Sequence, residues 1–472
     1  MIQFVKRNLF LILSYFLAVG LVLISLGNGF FWDTVQLGSK HATFYFESNF
    51  QSLWLPDHLD SGHIPTFGMY IAALWKIADR SLLVSHLGLL PFVIGIVWQL
   101  HKLCAKFVYQ QVMGIATLLI LLDPTLLSQM TLVSPDIWLV FFFLIGTNAV
   151  LSNQRWILTL SIVLLFLTSM RGMMISLCLL SLDIYCNILF TGSFQKIVGK
   201  LLKRSLIYIP ALLLFIVYSY VHYGEKGWIG FHQDSPWAES FASVEFSGFL
   251  RNLGVFAWRL MDFGRIAIWG ILLVLFIKYI KPIWMSVLVK KLLFFAGSLL
   301  IILPINMLWA TGLLGHRYLL PIYLIIALLA VTILFSLFTN KRLQKVLVGL
   351  WIVLLISGNF WIYPPQIAQG WDATLAHLPY FELRKEALQY IEEQRISFDE
   401  VTSFFPNVAT LDEIDLTEDH RNFDNFDGES SYVLYSNAFN PSDAYYEQLL
   451  QEYSPEKRFE KGGVFVILYK KK

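Results

Sequence analysis

One aspartate, Asp33, follows the first long apolar run inside the aromatic stretch Phe30-Phe31-Trp32-Asp33-Thr34. A carboxylate set among aromatics at a membrane boundary is poorly solvated, which suits it to take a proton from a substrate hydroxyl. A solvated carboxylate at a helix end would have the same sequence, so position alone leaves both readings standing. Further on, Asp60 and His63 lie on a Gly-Pro turn in His58-Leu59-Asp60-Ser61-Gly62-His63-Ile64-Pro65. They could contact a substrate or acceptor; turn chemistry alone also accounts for Asp, Gly and Pro there, and the spacing matches no metal motif. Asp136 follows Ser134-Pro135 at the head of an apolar run, where the helix dipole favours a carboxylate with or without chemistry. Two arginines stand between apolar runs: Arg171 in Ser169-Met170-Arg171-Gly172, and Arg317 in Gly315-His316-Arg317-Tyr318-Leu319-Leu320-Pro321. The planar fork of an arginine can grip a phosphate; snorkelling or contact with lipid headgroups is the alternative. Arg317 is the stronger candidate, because Gly315 and Pro321 impose irregular backbone around it. Asp183 lies deep in an apolar run. A single acid makes no proton relay, and pairing near a helix end accounts for it equally.

The elements that must position these residues are membrane helices. The 472 residues are 57% hydrophobic and 14% charged, with mean hydropathy +0.61. A soluble domain is about a quarter charged, so this chain needs lipid. About eleven segments approach the roughly 20 apolar residues of a span: Asn8–Gly27, Leu82–Leu100, Phe107–Leu122, Ile137–Leu151, Trp156–Met170, Met173–Phe190, Ser205–Val221, Ile266–Ile280, Leu292–Ala310, Tyr318–Leu337 and Val346–Phe360. Thr66–Ile77 is apolar but short. If it does not cross, alternate loops hold Lys6 and Arg7; Lys102 and Lys106; Arg155; Lys196, Lys200, Lys203 and Arg204; Lys278, Lys281, Lys290 and Lys291; and Lys341, Arg342 and Lys345, with no Asp or Glu among them. The preference of Lys and Arg for the cytoplasmic side then puts the N-terminus inside and Asp33, Asp136, Arg171 and Arg317 outside. Thr66–Ile77 is expected as an external helix lying on the bilayer. Two external loops are long, 30–81 and 222–265. The second is rich in aromatics, among them Trp228, Phe231, Trp237 and Phe241, and long loops in compact proteins are usually functional.

Beyond Tyr363 the composition changes. This tail carries 20 Asp and Glu against 10 Lys and Arg. Helical patterns at Phe381–Gln394 and Ser442–Tyr453, and strand patterns at Glu400–Phe405, Tyr432–Ser436 and Gly463–Tyr469, predict a small external α/β domain. The expected organisation is therefore an all-α polytopic membrane domain, 1–362, followed by an extramembrane α/β domain, 363–472. The cysteines Cys104, Cys178 and Cys186 form no metal or disulfide pattern. No phosphate-binding loop, nucleotide fingerprint or nucleophile elbow occurs, and nothing points to nucleic acid. An enzyme working outside the cell has no nucleotide sugar to draw on, which leaves a lipid-linked donor.

Four features resemble the GT-C glycosyltransferases, nearest to the branch of protein O-mannosyltransferases and aminoarabinose transferases (family 39-like). These are Trp32-Asp33 after the first span; the turn Gly62-His63-Ile64-Pro65 before an interfacial helix with Phe67 and Tyr70; Asp123-Pro124 through Ser134-Pro135-Asp136; and Arg317-Tyr318-Leu319-Leu320-Pro321. The likeness covers roughly Met1 to Phe360. It implies transfer of a sugar from a polyprenyl phosphate to a saccharide, lipid or protein acceptor, with inversion. Asp33 would then be the general base, and Arg317 with Arg171 would hold the leaving phosphate; His316, Asp136, His63 and Asp60 would line the substrate site. Thr34 stands where many relatives carry a second acid, which leaves a divalent metal open. The expected location is a bacterial inner (plasma) membrane with the tail outside. A transporter or flippase of lipid-linked saccharides should show paired halves or several intramembrane charges, and the sequence shows neither. A surface-polysaccharide polymerase would share the external site.

Overall fold

The computed structural model describes residues 2–189, 193–230, 232–233, 235 and 237–472, with side chains from residue 8 onward. Expectations that fall on Phe190, Phe231 and the side chains of Lys6 and Arg7 lie outside this set.

Each of the eleven apolar segments coincides with a helix. By length and composition, Leu82–Cys104, Ile266–Met285, Val287–Leu308 and His316–Ser336 can each cross a membrane among the described residues. Phe194–Ser205 and Ile209–Lys226, bent by 48°, make a further candidate if they form one span. The other six are shorter or more polar. At about 1.5 Å per residue most of them fall short of a full hydrocarbon thickness unless flanking residues help, whereas Ile2–Ile24, counted with its first polar turn, has 23 residues and is long enough. The chain is thus a polytopic helical membrane protein with a small α/β unit at its C-terminal end.

Local chemistry sets the helix ends that matter for the site. Ser134 accepts the Asp136 N–H at 3.1 Å, with Pro135 in the first turn of Pro135–Leu151. The preset φ of proline and an unpaired first-turn N–H make this a stable start. The Ser169 hydroxyl accepts the Gly172 N–H at 3.3 Å, so Met170–Asn187 begins beside Arg171. The helix Leu320–Ser336 is apolar on all sides, and every residue from Leu320 to Leu334 is buried. A helix of that pattern belongs at the centre of a bundle, and it carries Arg317 and Tyr318 in the turn just before it. Thr66–Ile77 forms the helix expected, burying Phe67, Ile71 and Trp75 along one stripe.

The α/β unit holds five strands: β1 Val401–Ser403, β2 Asp424–Asn425, β3 Tyr432–Ser436, β4 Tyr453–Lys461 and β5 Val464–Lys471. Their order is β2-β1-β3-β5-β4, with β1 parallel to β2 and β3 and with β5 antiparallel to β3 and β4. The sequence pattern finds β1, β3 and β5 and misses the two-residue β2 and the long β4; Pro455, Lys457, Arg458 and Lys461 of β4 are an edge strand's protection against further pairing. Phe31 and Leu132 from the membrane part join the core of this unit. Arg80 grips Asp412 through two bonds of 2.6 and 2.8 Å, and the Phe30 N–H reaches the Ile414 carbonyl at 2.8 Å. The tail is therefore built onto the loop that carries Asp33.

Asp183 is one turn from the end of Met170–Asn187, not deep in it, and is buried against Arg204 with a second bond of 2.8 Å from Arg204 Nε. Asn153 and Asn187 complete the cluster. Removing one partner strands a buried charge. Arg204→Ala is expected to destabilise the fold by about 3–5 kcal/mol, read as a fall in thermal midpoint in detergent. The double variant Arg204→Met/Asp183→Leu should recover much of that loss; no recovery means that the pair is not what holds this corner.

Candidate functional site

Asp33 is presented by an unusual turn. Trp32, which precedes it, adopts a left-handed φ of 53°, a conformation that costs a non-glycine residue of order 1–3 kcal/mol and persists only where packing holds it. The packing is present. Phe31 is fully buried and its ring stacks on His377 at 5.5 Å, while Trp32 meets Phe405 edge-on at 5.6 Å. Thr34 ties the turn by accepting the Phe31 N–H and donating its hydroxyl to the Phe31 carbonyl, both at 2.8 Å. A wide π-helical turn, Val35–Lys40, follows and leads to His41.

The side chain of Asp33 points at Arg317, and the two are ion-paired. Arg317 is the hub of the cluster. One terminal nitrogen bonds Asp33 and lies 3.0 Å from the Tyr318 hydroxyl; the other bonds Asp372; Nε lies 3.5 Å from Asp136. Arg171 pairs with the second oxygen of Asp136, and its guanidinium sits over the Tyr318 ring at 4.1 Å. Three carboxylates and two guanidiniums thus share one network in which Asp136 and Arg317 are buried and Asp33, Asp372 and Arg171 are half-buried. Asp372 comes from the segment before the α/β unit. Its carbonyl accepts bonds of 2.8 Å from both Ser128 Oγ and Gln129 Nε2, which fix the backbone that carries it. Burial, opposed by Arg317 and reinforced by Asp33 and Asp136, holds the Asp372 carboxyl above the usual carboxylate range.

A cavity of about 340 Å³ opens onto this network, a size typical of small-ligand sites. Its polar floor includes Asp33, Arg171, His63, His41 and Tyr318; its walls include Phe215, Met174, Leu303, Met307, Trp237 and Phe241. Such a space suits an amphiphile whose head is anionic and whose tail is apolar. His63 is pushed down to about 4 by burial and by Arg171 beside it, and His41 also to about 4 by burial. Both imidazoles are neutral at pH 7, and His63 Nδ1 has no hydrogen-bond partner.

Of the residues singled out in the sequence, Asp33, Arg171 and His63 line the cavity, and Arg317 and Asp136 stand directly behind it. Arg317, the stronger arginine candidate, has both terminal nitrogens committed to carboxylates, so the guanidinium facing the cavity is that of Arg171. Asp60 and His316 take other partners: Asp60 bonds the Gly62 N–H at 2.8 Å and His222 at 3.1 Å, and His316 bonds Asp262 at 2.8 Å. Neither borders the cavity. Asp123 is also structural, capping the turn at Pro124 and gripping Arg265 at 2.7 and 2.8 Å. Sequence reasoning missed His41 and Asp372. His41 has no local signal, and Asp372 lies in a tail read as a separate module.

The Asp60–His222 bond and a 2.7 Å pair between Lys226 and Asp57 stitch the two long loops together. Between them Gly62 has φ +71°, and a β-carbon there would lie 1.1 Å from the Gly230 carbonyl oxygen. Gly62→Ala should therefore cost about 2 kcal/mol or more, read as a lower thermal midpoint. An unchanged midpoint would show that the loops do not meet here.

Among the described residues no group of three His, Cys, Asp or Glu side chains is set to hold a metal ion. The donor set does not fit one either. Asp33, Asp136 and Asp372 are each charge-paired with arginine, and a divalent cation would have to displace a guanidinium.

Fold and site together define a polytopic helical membrane protein with a charged, partly apolar cavity lined by residues between Asp33 and Tyr318. No family model matches the chain, and no curated protein matches it. Two crystal structures of ArnT from Cupriavidus metallidurans are similar in shape. The one bound to undecaprenyl phosphate is 12% identical and the apo form 11%; each has a TM-score of 0.49 and the match covers 97% of both chains. Neither likeness assigns a role to any residue of this chain.

Proposed function

We propose that this protein is an integral-membrane glycosyltransferase that moves a sugar from a polyprenyl-phosphate donor to an acceptor hydroxyl on the non-cytoplasmic side. The observation that carries the reading is the convergence of Asp33, Arg171, Arg317 and Asp136 at one cavity with an apolar wall. These residues lie far apart in sequence; Asp33, Asp136 and Arg317 belong to three of the four motifs in which the chain resembles the GT-C enzymes, and Arg171 joins them from outside those motifs.

In this reading Asp33 takes the proton of the acceptor hydroxyl as its oxygen attacks the anomeric carbon. The bond from that carbon to the donor phosphate breaks on the opposite face, so the configuration inverts. The electron pair leaves with the polyprenyl phosphate, and Arg171 stabilises the growing negative charge. Arg317 holds Asp33 in place from behind. Neutral His63 hydrogen-bonds the phosphate or the sugar. The prenyl chain lies along Phe215, Leu303 and Met307. The N-terminus is cytoplasmic, and the membrane domain, 1–362, with the external domain, 363–472, sits in a bacterial plasma membrane.

The test is purified protein in lipid nanodiscs with radiolabelled sugars on undecaprenyl phosphate and a panel of saccharide, lipid and peptide acceptors. Release of undecaprenyl phosphate coupled to acceptor labelling is the expected result. Movement of intact donor between vesicle leaflets with no transfer would instead identify a flippase.

A further inference from the structure

Asp372 has no place in the reaction just described, yet it is tied to Arg317 as directly as Asp33 is. We infer that Asp372 is a positioning residue that divides the charge of Arg317, so that Asp33 is oriented by the guanidinium without being fully neutralised by it. The inference rests on the reading of Asp33 as the base.

The physical argument is one of competition. A base held by a single arginine gains orientation and loses basicity, because the opposite charge favours its ionised form. A general base works best when its proton affinity is matched to the operating pH. Here one guanidinium faces three carboxylates, Asp33, Asp372 and Asp136, and no single one receives its whole field. The other groups facing Asp33 are Tyr318 beside Arg317, Arg171 across Asp136, and the neutral imidazoles of His63 and His41. Asp372 is rigidly placed for the task. Ser128 and Gln129 hold its carbonyl, Trp371 next to it is 2% exposed, and Asn359 accepts the Leu375 N–H at 3.3 Å. The strap leading into the α/β unit thus supplies part of the site, and the unit is more than an attached docking module.

Asp372→Asn keeps the shape and the backbone bonds while removing the charge. Arg317 then acts on Asp33 and Asp136 alone, and Asp33 becomes a weaker base. The acid limb of kcat/KM against pH should move about one unit lower, and plateau kcat should fall about three- to tenfold. The KM for donor should stay within twofold. Asp372→Glu should restore the wild-type limb. A second readout needs no turnover: dicyclohexylcarbodiimide adds to protonated carboxyls, and its adduct at Asp33 is located by peptide mass spectrometry. The pH of half-labelling at Asp33 should fall by about one unit in Asp372→Asn and stay in place in Asp372→Glu. An unmoved half-labelling pH in a folded Asp372→Asn protein overturns the inference, whatever the transfer assay gives. Absence of transfer from every polyprenyl-phosphate sugar, with the labelling shift present, defeats the glycosyltransferase reading and leaves the charge division standing.

Discussion

Asp33→Asn lowers kcat by about 10²–10⁴-fold, the usual worth of a general base, and leaves undecaprenyl phosphate binding within about twofold. Both halves follow from the geometry. Asparagine keeps an oxygen that can accept from Arg317, so the turn at Trp32, the Phe31–His377 stack and the Thr34 bonds need not change. The thermal midpoint should stay within a few degrees, since Arg317 retains Asp372 and Asp136. What disappears is the group that accepts the hydroxyl proton. Asp33→Glu should recover part of the rate with a longer reach, while its altered pairing with Arg317 costs some stability. Single-turnover transfer measured beside donor binding separates these effects. A folded Asp33→Asn protein with kcat within threefold of wild type removes Asp33 from the chemistry and returns it to the solvated carboxylate at a helix end that its position alone would allow.

The residues that met in space were legible in sequence to the extent that their surroundings were apolar. Asp33, Arg171 and Arg317 stood out because an ionisable group beside a membrane segment is costly unless it is used. Charge bias gave their shared side, and their contact agrees with it. Asp60 and His316 do not border the cavity, for a reason local sequence does not contain: their partners, His222 and Asp262, lie 162 and 54 residues away. Asp183 shows the same limit, since nothing near it in sequence announces Arg204. The helices were easier, because an apolar run of helical length reports itself without knowledge of its partners. Their ends were not, because caps such as Ser134 and Ser169 look like ordinary loop serines until the backbone N–H they serve is seen. Asp372 was invisible because the change of composition at Tyr363 suggested an independent module, whereas Phe31 and Leu132 lie in that module's core. A boundary drawn from composition marks a change of solvent and not a break in packing.

Replacing Arg171 separates the two tasks this side chain performs. Its pairing with Asp136 is buried on the acid's side, where Asp136 is 2% exposed. Arg171→Ala therefore leaves this carboxylate with only the longer 3.5 Å contact to Arg317 Nε, at a cost below the about 3–5 kcal/mol of a fully stranded buried charge. It also removes the guanidinium that faces the cavity, and a charge-assisted bond to phosphate is worth about 1.5–3 kcal/mol, roughly a ten- to hundredfold loss in affinity for undecaprenyl phosphate. The double variant Arg171→Ala/Asp136→Asn distinguishes them. With no under-paired charge it should regain most of the thermal midpoint, because Ser134 still caps the helix through the backbone N–H of residue 136. It should not regain donor affinity or kcat/KM, since the cation is still missing. Arg171→Lys should fall between: the charge stays, but the planar fork and its stacking on the Tyr318 ring are lost, and a point charge is a poorer match for paired phosphate oxygens. Recovery of both stability and transfer in the double variant would mean that Arg171 serves only to neutralise Asp136, and the phosphate contact would then have to be sought at His63 or at an Arg317 released from its carboxylates.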